Sequence, residues 1–233
     1  MPDEARRRAV SQAIRSTINK PTARDTQKSV GPSEIGDPCG RCLGQALCRK
    51  YPELWWEEEK PPGDHFSLKA WVGTAIHEKL DRDAPGYDPE LGQLSKEIEI
   101  PIWDLPGYGL IKGHTDLFVD RTVVDYKTKD GRDKIREIAL NGPQSSEVVQ
   151  INLYGFGLMQ SGHTVEDLCL FYIPRDSNRI EDTLGMFTRP LPVIAERALA
   201  RLAKVWDVVR DGRGAILESH PDCYSCNIRY YLK

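Results

Sequence analysis

Apolar residues recur along this chain at two spacings, first near four and later two, and the changes between them divide it into elements. Val10, Ile14 and Ile18 stand four apart and predict a helix with one narrow face, ended by Pro21. Residues 19–32 read as linker. Leu43 and Leu47 predict a short helix across the first cysteines. Residues 51–64, YPELWWEEEKPPGD, carry too much proline and acid for a regular element and are assigned to loop. From Phe66 to Asp81, the residues Leu68, Val72, Ala75, Ile76 and Leu80 return at helical spacing.

The period then falls to two. In Leu94–Trp103, Leu94, Ile98, Ile100 and Ile102 mark one face of a strand, with Glu97 and Glu99 on the other. Asp104-Leu105-Pro106-Gly107 predicts a turn, and Leu110–Val119 the returning strand. Asp120-Arg121 makes a tight turn into a third strand, Thr122–Lys129. Helical spacing resumes at 145–161 and 191–210, with two strands between them, Leu168–Ile173 and roughly 179–188. Helix, three-strand meander, helix, strand, strand, helix is the order of an α/β domain with a mixed central sheet flanked by helices. No internal repeat is present.

Composition narrows the classes. The 233 residues suffice for one domain, here a body of residues 31–233, preceded by an arm of residues 1–30. The longest apolar stretch, Val148 to Val165, is broken by two Gln, Asn, Ser and His, so no membrane span is expected. Polar residues follow the N-terminal arginine triplet where a signal peptide needs an apolar core. The expectation is a cytoplasmic protein with reduced thiols, whose six cysteines serve as ligands or packing rather than as disulfides. Net charge is −3, but residues 1–30 hold seven basic and three acidic side chains, leaving the body at −7. Phosphates must therefore be met by a local patch, with Arg6, Arg7 and Arg8 in its densest run, or by metal ions held on carboxylates.

The candidate chemistry lies in the meander. Asp125 and Lys127 are two apart on a strand and leave the same face, and the tight turn brings Asp116 alongside. Two carboxylates and an ammonium on one sheet face are costly unless a divalent cation compensates. Asp116 and Asp125 offer hard oxygen ligands to Mg²⁺ or Mn²⁺, and Lys127 would orient or help deprotonate a water and neutralise a phosphate.

Four short motifs then stand in one order. Gly113-His114-Thr115-Asp116 before Val123-Val124-Asp125-Tyr126-Lys127-Thr128 resembles the core of the PD-(D/E)XK nuclease superfamily. Gly73-Thr74-Ala75-Ile76-His77-Glu78 resembles the GxxxH helix of its RecB-like branch, and Gln150-Ile151-Asn152-Leu153-Tyr154 that branch's QxxxY motif. The resemblance spans about residues 33–230 and implies a restriction-endonuclease-like core. It implies that His77, Asp116, Asp125 and the backbone carbonyl of Tyr126 hold the metal. Lys127 would be the catalytic lysine, and Gln150 and Tyr154 would position it and the DNA backbone. Thr115 stands where the superfamily name has Pro.

Cys39-Gly-Arg-Cys42 and Cys223-Tyr-Ser-Cys226 form two C-x-x-C pairs, whose spacing suits a tetrahedral S₄ site. Cys169 lies in an apolar strand and reads as packing. A metal bound by both pairs would staple the two ends of the fold together. This arrangement, with Ser33-Glu34-Ile35 ahead of Cys39, resembles the iron–sulfur staple of the RecB-like, CRISPR-associated exonucleases. The family has one cysteine upstream and three downstream, whereas this chain has three and two, so a 4Fe–4S cluster and Zn²⁺ both remain open, as does Cys48 in place of Cys42.

The resemblance implies a Mg²⁺- or Mn²⁺-dependent DNA exonuclease acting on single-stranded DNA or single-stranded ends. Stand-alone copies of this size resemble those of phages and CRISPR adaptation modules. Two alternatives are an end-processing endonuclease that works with recombination or replication partners, and a metal-stapled DNA-binding adaptor with a vestigial site.

Overall fold

The computed structural model describes residues 12–13, 28–57, 68–223 and 225–226. In chain order the elements are α1 (Pro32–Gly36), α2 (Gly40–Cys48), α3 (Leu68–Asp83), β1 (Tyr87–Asp88), β2 (Gly92–Leu105), β3 (Gly109–Val119), β4 (Thr122–Lys129), α4 (Arg132–Asn141), α5 (Ser145–Gln160), β5 (Asp167–Pro174), β6 (Leu184–Thr188) and α6 (Pro192–Arg210). Single 3₁₀ turns occupy Pro52–Leu54, Ile180–Asp182 and Gly214–Ile216. The six strands lie side by side in chain order. Every pairing is antiparallel except β4 with β5, which are parallel because α4 and α5 carry the chain across between them.

The predicted meander is present, and its second turn is very tight. Asp120 and Arg121 take φ of 42° and 61°, so both central residues are left-handed, as a type I′ hairpin turn requires. From this turn β3 and β4 pair only from Val119↔Thr122 to Leu117↔Val124, although β4 runs on to Lys129. There the two strands part, and polar side chains replace the ladder. Thr115 Oγ1 donates to the Val124 carbonyl at 3.0 Å, and the Tyr126 N–H donates to Asp116 Oδ2 at 2.6 Å.

The sheet is apolar on both faces. Val123, Leu168, Leu170 and Tyr172 join the main core, which α5 and α6 close with Ile151, Leu153, Leu158, Leu199, Leu202 and Val209. On the other face Val119, Val124 and Cys169 form a smaller cluster with Leu94, Leu117, Tyr126 and Phe171. Leu94 therefore parts from Ile98, Ile100 and Ile102, which pack in the main core. The strand turns over between them, where Glu97 has a φ of 46°. α5 crosses the β2–β3 hairpin at Gly157, where a Cβ would come within 2.5 Å of Ile100 and 2.9 Å of the Pro101 carbonyl. A second close approach ties α1 to α5, since a Cβ on Gly36 would meet the Ser146 carbonyl at 2.4 Å.

Several expectations need correction. Val30 and Pro32 are buried, so the stretch read as linker docks on the body before it ends. α4 was not expected, and the strand read over 179–188 is confined to β6. Of the helix read over Val10–Ile18 only residues 12–13 are described, and both are helical; Arg6, Arg7 and Arg8 fall outside the described residues. No helix among the described residues is long and apolar enough to cross a membrane.

Candidate active site and metal centre

The parting of β3 from β4 opens a fork, and the polar residues singled out in the sequence converge there. Asp125 leaves β4 toward α5 and is 3% exposed. Lys127, two residues on, holds its ammonium 2.7 Å from Asp125 Oδ2 and donates to Gln150 Oε1 at 2.8 Å. The Gln150 amide donates to the Tyr154 hydroxyl at 2.9 Å and approaches Asp125 Oδ1 at 3.4 Å. The i, i+4 spacing of Gln150 and Tyr154 thus places both on the face of α5 that covers β4. His77 comes from α3, on the opposite face of the sheet, where Gly73 packs against Thr128. Its Nδ1 lies 3.0 Å from Asp116 Oδ1, and its ring meets that of Tyr126 edge-on at 5.9 Å. Asp116 sits in the fork and bridges the two faces.

The electrostatics of this cluster are unfinished. Burial pushes the Asp125 carboxyl up to about 6, with Lys127 pulling it down and the Asp116 charge pushing it further up. Asp125 Oδ2 receives no hydrogen bond, because Lys127 is close but poorly aligned. A buried carboxylate with one oxygen lacking an aligned hydrogen bond, and with Asp116 and His77 close enough to act on its charge, suits a hard divalent cation. Glu78 and Glu99 stay outside the cluster; Glu78 is exposed, and Glu99 pairs with Lys112 at 2.8 Å.

Beside the cluster Lys129 is paired with Glu147, which also accepts from Tyr172. Arg175 is likewise engaged, with Asp130 and the Lys69 carbonyl. The signal for Glu147 was available in the sequence, since it stands one helical turn before Gln150 as Lys129 stands two residues after Lys127.

The cysteines gather as expected. Cys42 Sγ lies 3.4 Å from Cys223 and 3.6 Å from Cys226, and Cys39 Sγ 3.7 Å from Cys226. Among the described residues this quartet is the one group of three or more metal-ligand side chains whose donor atoms all lie within 4.8 Å. Cys48 is not part of it; its thiol faces the Leu54 carbonyl inside the core. Cys169 is buried packing, as read. Burial alone would push the Cys39 thiol up, but the N–H groups of Cys42 and His220, both 3.5 Å from its sulfur, bring it down. Burial pushes Cys226 up to about 12, which leaves it a thiol unless a metal replaces its proton. Arg201 on α6 anchors the approach to Cys39 by donating to the carbonyls of Ile35, Asp37 and Pro38 at 2.5, 2.5 and 3.1 Å.

The sulfur spacing bears on what can be held. Four thiolates about 2.3 Å from one ion stand at the corners of a tetrahedron with edges of about 3.8 Å. The three separations given above, 3.4, 3.6 and 3.7 Å, lie just inside that edge, whereas a 4Fe–4S cluster gives each cysteine a different iron and would need the sulfurs further apart.

Comparison with solved structures supports the architecture. The alkaline exonuclease LHK-Exo of Laribacter hongkongensis superposes with a TM-score of 0.52 over 88% of this chain and 95% of its own, at 8% identity. The chain shares the fold of that protein. SSO0001 matches with a TM-score of 0.50 over 86% of this chain and 82% of that one, at 16% identity. No protein-family model matches the sequence, and no curated protein matches it.

Proposed function

We propose that this protein is a metal-dependent DNA exonuclease of the RecB-like type, hydrolysing phosphodiester bonds from single-stranded DNA or single-stranded ends inside the cell. The observation that carries the reading is the fork. Where β3 and β4 part, Asp116 accepts from the N–H of Tyr126, the residue after Asp125, and Lys127 is held beside Asp125 by Gln150. An alkaline exonuclease with the same fold supports the substrate class.

His77, Asp116, Asp125 and the Tyr126 carbonyl would hold Mg²⁺ or Mn²⁺, which when bound supplies Lewis acidity at the scissile phosphate and a nucleophile at neutral pH. The chain's own groups do the rest. Lys127 carries a fixed positive charge at the cluster, where negative charge grows as the phosphate is attacked, and holds a proton it can share with water. Gln150 keeps that ammonium aimed, and Tyr154 keeps Gln150 aimed in turn. His77 fixes Asp116 from the far face of the sheet.

The quartet is read as a structural site for one tetrahedral Zn²⁺, on the strength of the sulfur spacing, joining Cys39 and Cys42 to Cys223 and Cys226. The basic arm of residues 1–30, with Arg6, Arg7 and Arg8, is read as a track for phosphates leading to the fork.

Titrating Mg²⁺ and Mn²⁺ against end-labelled single- and double-stranded DNA tests the function. Metal-dependent shortening from the ends is expected. Cuts inside circular DNA would favour the end-processing endonuclease, and binding without cleavage the adaptor. Elemental analysis of the purified protein tests the staple, with about one zinc per chain expected and a brown iron-containing protein overturning it.

A further inference from the structure

Beside the fork lies a second set of buried charges that the chemistry above does not use. Lys129, the last residue of β4, donates to Glu147 Oε1 at 2.6 Å, and Tyr172 on β5 donates its hydroxyl to Glu147 Oε2 at 2.9 Å. The Lys129 ammonium also stands 5.3 Å from the centre of the Tyr172 ring. The Lys129 and Glu147 side chains are 13% and 11% exposed, and Tyr172 is fully buried. Burial and the facing Glu147 carboxylate both push the Tyr172 hydroxyl upward, which keeps it a donor.

A buried ion pair is weak evidence for stability, because desolvating both charges offsets most of their attraction. Its value here is geometric. Glu147 and Gln150 are three apart on α5, and Lys127 and Lys129 are two apart on one face of β4, so Lys127–Gln150 and Lys129–Glu147 are neighbouring rungs between the same helix and strand. Gln150 reaches Lys127 only while α5 keeps its height and rotation above β4. A slip of one residue would shift it by about 1.5 Å and turn it by about 100°. Glu147 resists both movements, since its two oxygens are tied to residues on two different strands.

We propose that Lys129, Glu147 and Tyr172 are positioning residues that set α5 so that Gln150 holds the Lys127 ammonium at the fork. The inference rests on the nuclease reading. Misplacing a catalytic group by about 1 Å costs up to roughly 10²-fold in rate. E147Q and K129M should each lower kcat on single-stranded DNA about tenfold or more, with KM nearly unchanged. K129R should recover most of the turnover, and the K129M/E147Q pair should exceed either single variant, because no lone charge is left buried. Y172F keeps the ion pair and removes one of the two ties, so it serves where a charge variant fails to fold.

Turnover is normalised to folded protein by near-ultraviolet circular dichroism, and D116A is run alongside. Wild-type kcat per folded molecule in E147Q and Y172F overturns the inference, even if their thermal midpoints fall. A raised KM with a flatter salt dependence in K129M also overturns it, and makes Lys129 a DNA contact. If wild type and D116A cleave alike or not at all, the nuclease reading fails and takes this inference with it. If wild type cleaves, D116A does not, and E147Q matches wild type, this inference fails alone.

Discussion

The fork and the cysteine quartet are both knots of costly polar side chains, but they are tied differently. The fork draws most of its residues from between Asp116 and Tyr154, on two strands and the helix that crosses them, and each is fixed by core packing around it. The quartet joins Cys39 to Cys226 across 187 residues, with its four sulfurs within 4.8 Å of one another. A site built on continuous sheet and helix is organised by the fold. A site built from distant segments has to be organised by what it binds.

That contrast orders the experiments. The largest effect is expected at the fork and on activity alone. D116A or D125A should lower cleavage by about 10³-fold or more, and K127A by about 10²-fold, with unchanged thermal midpoints. A midpoint that falls with the activity would mean that the fork, too, organises the fold. The quartet should behave in the opposite way. C223S or a strong chelator removes ligation energy that is folding energy, and losing even about 3 kcal/mol would lower the midpoint by roughly 6–12 °C in a domain of this size. Unchanged melting after complete metal removal would erase the distinction.

Thiol chemistry sharpens it further. Burial pushes Cys48 and Cys169 up to about 11 from an ordinary value of 9.0. Folding raises these values, so the protonated thiols favour the native state fully below pH 9.0, and that contribution is lost as pH climbs through about 11. At pH near 8 an alkylating reagent should therefore spare Cys48 and Cys169, whereas withdrawing the metal unfastens the segments that carry the quartet and exposes its sulfurs, Cys39 with its lowered thiol reacting first, which mass spectrometry reads directly. Modification of all six cysteines together would mean that chelation unfolds the core as well. The smallest effect is expected from deleting residues 1–28. It should weaken DNA binding at low salt and flatten the slope of log affinity against log salt by roughly two to three units for single strands. An unchanged slope would mean that a basic surface on the body does the work.

How much of this was legible follows from where the periodicity is strong. Thr122–Lys129 was readable because Val123, Val124, the turn at Asp120-Arg121 and the alternation of Asp125 with Tyr126 all agree on a strand. α4 was not, since Ile135 and Ile138 are its only buried residues and Leu140 is 85% exposed, which leaves too narrow a stripe to stand out. The candidate site was legible as residue types at spacings: Asp125, Lys127, Gln150 and Tyr154 lie in one linked cluster and the four cysteines in another. Its shape was not, because the parting of β3 from β4 is a break in backbone pairing, and hydrophobic alternation carries no trace of it. The sulfur spacing was equally hidden, since C-x-x-C fixes a pair and says nothing of how closely two pairs approach.

The reach of the quartet also sets an order of events during synthesis. α5, β5 and β6 complete the sheet and cover the fork before Cys223 and Cys226 have been made, and domains begin to fold as the chain emerges. The fork should thus take shape on the ribosome while Cys39, buried, and Cys42, half-buried, still wait for their partners. Closure by metal then becomes the final step of maturation, and a cell short of that metal would accumulate chains with an assembled fork and an unfastened end.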